Sequence, residues 1–203
     1  MSRPPETLTV EESEKLLTTL RNDGVTGFAA WKYLRNYTMA LLMIDAGLRV
    51  GEVVLLKISN LIINGQAISA LDLTGQHAEK KCERIVPCSE RLKKAIEECQ
   101  KLIWSLSPPV VMPYAFFDKE TWRHITTRQV QRIIAQASLS AFGRAIHPHV
   151  LRHTFATRLM RVTSTPVVQQ LLGHKHLSST EVYTHPNGDD CKKAIEKMNM
   201  VST

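Results

Sequence analysis

The sequence predicts an α+β fold, mainly α-helical, with a small three-stranded antiparallel sheet set into it. Three observations carry this. Apolar residues recur at helical spacing through most of the chain, as in Leu34, Tyr37, Leu41, Leu42 and Ile44. Helix-start signals stand ahead of such stretches: Thr9 with Glu12, Pro148, and Thr165 with Pro166. Between residues 61 and 87 the pattern switches to short β-type runs around an Asn64-Gly65 turn.

Residues 1–8 read as a proline-containing tail. Thr9 and Glu12 form a capping box that opens a helix to about Asn22, with Gly24 as its stop. A second helix runs from Phe28 to Ala46 and stops at Gly47. A short helix follows from Arg49 to Leu56. Residues 61–63 and 67–71 make two strands, and 84–87 a third. Thr74 to Lys81 form a polar loop between the second and third strands. Ser89 caps a helix to Leu106, which Pro108-Pro109 breaks, and 110–122 is irregular with Phe116 and Phe117 buried. Thr126 or Thr127 caps a helix through Ala137. Pro148 occupies the first position of the next helix, in which Leu151, Phe155 and Leu159 share a face. Another helix reaches Leu172, a short one opens at Ser178 and holds Tyr183, and an amphipathic helix from about Asp190 to Met200 closes the chain.

The chain has 203 residues with 43% hydrophobic content, enough for a sizeable core. Lys and Arg number 26 against 19 Asp and Glu, a net charge of +7 that favours a polyanionic partner. Cysteines 82, 88, 99 and 191 contain no C-x-x-C pair, which suggests neither zinc nor a disulfide framework and fits reduced thiols in a cytoplasm. The N-terminus has no apolar stretch of signal-peptide type, and no run approaches the roughly 18 apolar residues of a membrane span.

The chemistry gathers between His147 and His185. Cations with a single phenol, and no carboxylate pair, point to a phosphate. His149 and Arg152 are three apart at a helix start, on one face and beside the positive end of the dipole. Arginine grips phosphate oxygens in a bidentate fork, imidazole donates to them or moves a proton, and tyrosine is a possible covalent nucleophile. His153 is expected to face away and pack internally, and His174 after Gly173 to turn back toward the pocket. Arg49, with Glu52 one turn on, is the expected second arginine, a fixed guanidinium unless the two form only a surface pair. Lys80 and Lys81 close the polar loop, where a lysine could act as an acid or touch phosphates as a solvated side chain. Arg123, Arg128 and Arg132 are candidate contacts to a polyanion or else a solvated basic face, the last two sharing a helix face.

Ala46-Gly47-Leu48-Arg49 with Glu52, then His149-x-x-Arg152-His153-Thr154-Phe155-Ala156-Thr157, then Leu172-Gly173-His174, then Tyr183, resemble the catalytic domain of the tyrosine recombinases, the phage integrase or Xer-like family. The resemblance covers about residues 7–200, including the strand Glu83 to Pro87. It implies that Arg49, Arg152 and His174 hold the scissile phosphate and Tyr183 attacks it. It further implies that a lysine of the polar loop, Lys80 rather than Lys81, protonates the leaving oxygen, and that His149 assists as base or ligand. It implies double-stranded DNA as partner, self-association as a tetramer on paired sites, no cofactor, no metal, and a prokaryotic or phage-type cytoplasmic setting. The family's N-terminal core-binding domain is expected to be absent, residues 9–187 to be catalytic, and 188–203 to form a C-terminal helix that either docks on a neighbouring protomer or packs within its own chain. Competing readings are a type IB topoisomerase, a non-catalytic DNA-binding relative, and a metal site of His147, His149, His153, His174 and His176, which the positive charge of Arg152 opposes.

Overall fold

A computed structural model describes residues 6–22, 24, 28–74, 83–105, 113–118, 120–173 and 188–200. Helix α1 (Val10–Arg21) starts where the capping box demands: the Thr9 hydroxyl accepts from the Glu12 N–H and the Glu12 carboxylate from the Thr9 N–H. It ends at Asn22, whose left-handed backbone (φ 40°) makes the stop two residues ahead of Gly24.

Helix α2 (Phe28–Ile44) is the core of the domain, buried on every side from Leu34 to Ile44. It packs against α1, α3 (Val50–Leu55), α4 (Glu90–Cys99), α5 (Thr127–Phe142) and α6 (Pro148–Val162). Its second half, Met39 to Ile44, is accordingly apolar all round, and the polar residues buried before it are hydrogen-bonded: Arg35 donates to the Phe117 carbonyl and the Asn36 side chain, and the Thr38 hydroxyl to the Leu34 carbonyl. It stops at Gly47, in the left-handed region at φ 64°, with the Leu48 N–H returning to the Leu42 carbonyl.

The β region departs from a single three-stranded sheet. β1 (Ile62–Ile63) pairs with β2 (Gln66–Ala67) across Asn64 and Gly65, both at positive φ as a tight hairpin turn requires. The chain then changes partner. The Ile68 N–H still donates to Leu61, but the Ser69 carbonyl already accepts from Cys88, and β3 (Ala70–Asp72) pairs with β4 (Ile85–Pro87). The run 67–71 is therefore two short strands serving two ladders. A third ladder, β5 (Phe117–Asp118) with β6 (Arg123–His124), occupies the stretch expected to be irregular, and Phe116 and Phe117 are buried as expected.

Helix α4 ends earlier than expected and continues as one widened turn over Gln100–Trp104, where the Ser105 N–H reaches back five residues to Gln100. Helix α5 runs past Ala137 to Phe142 and stops at Gly143, φ 79°. Thr126 rather than Thr127 caps it. Helix α7 (Thr165–Leu172) ends at Gly173, φ 68°. Helix α8 (Gly188–Met200) packs in cis on α6, α7 and β4. Its buried Cys191, Ala194, Ile195 and Met198 recur at helical spacing.

Candidate active site

Three chain segments meet where α2 ends. The α2–α3 turn carries Arg49 at the N-cap position of α3. The first turn of α6 carries His149 and Arg152 behind Pro148, whose missing N–H is no loss there. The C-terminus of α7 supplies the Leu172 carbonyl.

Arg152 joins all three. Its Nη1 donates to the Gly47 carbonyl, two residues before Arg49, and its Nη2 to the Leu172 carbonyl at 2.9 Å, two residues before His174. At 8% exposure it is a fixed guanidinium, oriented before any ligand arrives. The turn can approach α6 this closely because position 47 is glycine: a Cβ there would lie 2.4 Å from a ring carbon of Phe155.

Glu52 is not one half of a surface pair. It is 1% exposed, and its main partner is Arg84, which precedes β4. Arg84 donates from Nη1 to Oε1 at 2.9 Å and from Nη2 to Oε2 at 2.8 Å, a buried bidentate ion pair. Glu52 Oε2 also accepts the Arg49 N–H at 2.6 Å. The Arg49 guanidinium stands off at 3.4 Å from Oε1 and remains 27% exposed. Burial pushes the Glu52 carboxyl up, but the Arg84 hydrogen bonds and charge, the Arg49 N–H and the Arg152 charge outweigh it and leave the carboxyl below its ordinary value. The sequence reading missed Arg84 as a partner. The available signal was phase: Arg84 and Val86 share the inward side of the strand run while Ile85 faces out.

A second buried carboxylate holds the other side of the turn. Asp45 accepts from the Ser89 hydroxyl at 2.7 Å and from Arg91 Nε and Nη2 at 2.6 Å each. This anchors the end of α2 to the start of α4.

His149 is exposed, with its ring stacked on that of His147 at 5.0 Å. Its pKa is lowered by partial burial and by the charges of His147, His153, Arg152 and Arg49, so the neutral ring, able to accept a proton, is favoured near pH 7. His153 differs from expectation. It is exposed and lies near enough to act on His149, because residues four apart share a helical face. Among the described residues, no three His, Cys, Asp or Glu side chains gather as a metal-ligand set.

Lys80, Lys81, His174 and Tyr183, with the loop 75–82 and the expected short helix from Ser178, lie outside the described residues. The ladder β3–β4 brackets the lysine segment in sequence. Arg128 and Arg132 lie one turn apart, exposed on α5, and Arg123 is exposed on β6. No helix among the described residues is long and apolar enough to cross a membrane.

The arrangement of Arg49, His149 and Arg152 is a cationic surface on fixed backbone, suited to a phosphodiester. The model of the phage integrase family matches residues 6–189. The chain is 31% identical over 202 residues to the tyrosine recombinase XerA of Pyrococcus horikoshii, covering 98% of this chain and 63% of that protein. It is 31% identical over 184 residues to the tyrosine recombinase XerC of Azotobacter vinelandii, covering 90% of this chain and 56% of the other. It thus spans less than two thirds of these relatives' length. A crystal structure of XerA recombinase superposes with a TM-score of 0.70 at 27% identity, covering 97% of this chain and 66% of that one. With its fold, its Arg49 and His149-x-x-Arg152 motifs and this match in hand, the chain belongs to the phage integrase family.

Proposed function

We propose that this chain is the catalytic domain of a site-specific DNA recombinase that cleaves and rejoins strands through a 3′-phosphotyrosyl intermediate. The observation that supports the reading is the double clamp of Arg152 on the Gly47 and Leu172 carbonyls, which ties the turn bearing Arg49 and the helix bearing His149 to the end of α7. Arg49, Arg152 and His174 hold the non-bridging oxygens and stabilise the charge that grows on them as phosphorus becomes pentacoordinate. The Tyr183 oxygen attacks phosphorus, the P–O5′ bond breaks, and Lys80 protonates the departing 5′-oxygen. His149 accepts the tyrosine proton or adds a phosphate contact. Attack by a second 5′-hydroxyl on the tyrosyl ester reverses the step. The ester conserves the bond energy, so no nucleotide cofactor is consumed, and Arg49, Arg152 and His174 meet the charge that a metal would otherwise take.

Double-stranded DNA is the proposed partner, with Arg123, Arg128 and Arg132 facing it. Self-association on paired sites belongs to the same proposal, with 188–200 exchanging its cis contacts for those on a neighbouring protomer. Truncation after Pro186 then weakens DNA-bound oligomerisation; unchanged assembly would contradict the docking.

The test of cleavage is a pool of nicked duplexes of random core, incubated in EDTA and run on a denaturing gel. A covalent protein–DNA band that Tyr183→Phe abolishes is expected, and its DNA gives the site. A band that survives in the variant would refute the tyrosyl link.

A further inference from the structure

We infer that Arg84 is a positioning residue for Arg49: it neutralises Glu52 so that this carboxylate can hold the Arg49 backbone without capturing the Arg49 guanidinium. The inference rests on the proposed phosphate-binding role of Arg49.

Four contacts of one carboxylate carry it. Glu52 is buried, and a buried carboxylate must be matched by a cation. Two cations touch it, and the charge of a third, Arg152, also acts on it. Arg84 takes both oxygens at 2.8 and 2.9 Å in a side-on fork. Arg49 takes one oxygen through its backbone N–H at 2.6 Å, while its guanidinium stays 3.4 Å from the other. The division is unequal. Arg84 supplies the main counter-charge through two short bonds, and Arg49 a short main-chain donor, which fixes where its side chain starts, with one long side-chain contact. The Arg49 charge is thereby left partly exposed and near enough to His149 to act on its ring.

Arg84 is suited to this by its support. Its carbonyl accepts the Leu73 N–H at 2.9 Å, so the residue is held at the β3–β4 ladder, and its side chain is fully buried. Without Arg84, Arg49 becomes the nearest cation to a carboxylate that cannot reach water. Its guanidinium then swings inward and the local charge offered to a phosphate falls from one positive unit to none.

The test compares wild type, Arg84→Gln and the double variant Glu52→Gln/Arg84→Gln. Crystal structures without DNA read the coupling directly. In Arg84→Gln the contact of Arg49 Nη1 with Glu52 shortens from 3.4 Å to about 2.8 Å; in the double variant, with no carboxylate charge, Arg49 points outward as in wild type. An Arg49 that stays in place in Arg84→Gln would overturn the inference.

Cleavage of the trapped site reads the consequence. Arg84→Gln is expected to cut about a hundredfold more slowly than wild type, the size of loss seen when one transition-state donor goes. The double variant should recover to within about tenfold. On a duplex whose scissile phosphate carries a methyl group in place of one non-bridging oxygen, there is less charge for Arg49 to meet, so the defect of Arg84→Gln should largely vanish. A purely structural role would leave the same defect on both substrates, and that result contradicts the inference. If Arg84→Gln does not fold, the double variant decides: folded but inactive, it refutes the assignment. A wild type that cuts no DNA would refute the proposed function instead, and the crystal comparison would still judge Arg84.

Discussion

Glu52 is the residue on which the site depends most. Removing one partner of a buried, hydrogen-bonded pair leaves the other charge uncompensated, so Glu52→Gln should cost about 3–5 kcal/mol at neutral pH in urea unfolding. Because its folded pKa is depressed, the stability it contributes is fully present above its unfolded value near 4.5 and is lost as pH falls through the folded value. The gap between wild type and Glu52→Gln should therefore close in acid; a constant gap from pH 7 down to pH 3 would show that the ionised form contributes nothing. Gly47 makes a second case at the same scale. Its positive φ and its contact with the buried Phe155 ring both oppose a side chain. Gly47→Ala should lose about 2–4 kcal/mol in chemical denaturation, combining left-handed strain with overpacking. Cleavage should fall with it, since the Gly47 carbonyl anchors Arg152.

Elements that announce themselves locally were legible in the sequence. Thr9 and Glu12 lie within one turn and start α1, and Pro148 starts α6. The phosphate-binding candidates were legible for the same reason: His149 and Arg152 share a helix turn, and Arg49 follows a glycine stop. What was not legible depends on distant partners. The strand run breaks at Ile68 and Ser69 because Cys88 pairs with Ser69, nineteen residues away, which no local pattern encodes. The Glu52–Arg84 pair spans 32 residues, and Asp45 meets Arg91 across 46. His153 is exposed on the side of His149, four residues before it on the same helical face, where internal packing was the expectation. Helix α8 was legible in its apolar edge, which in this chain covers α6, α7 and β4. Ile195, 1% exposed, should be worth about 2–4 kcal/mol of that docking. Faster amide exchange across α8 in Ile195→Ala checks it; unchanged exchange would mean the cis packing is not what protects the helix.

For the whole molecule, the net charge of +7 and the exposed arginines of α5 and β6 lead to the prediction that the proposed binding to DNA is driven by phosphate neutralisation. Binding should weaken steeply as salt rises. Arg128→Ala and Arg132→Ala should each lower the slope of log affinity against log salt by about 1 if the residue meets a phosphate. A changed sequence preference with an unchanged slope would place that residue on a base edge instead. A frame of buried carboxylates, Asp45 and Glu52, holds the arginine-bearing turn from both sides, so the cationic surface is built into the fold rather than assembled by the ligand. Tandem mass spectrometry of the trapped protein–DNA adduct, after protease and nuclease digestion, decides whether Tyr183 is the nucleophile. A nucleotide joined through its 3′-phosphate to the Tyr183 side chain is expected; the same nucleotide on any other residue would refute the proposed tyrosyl link.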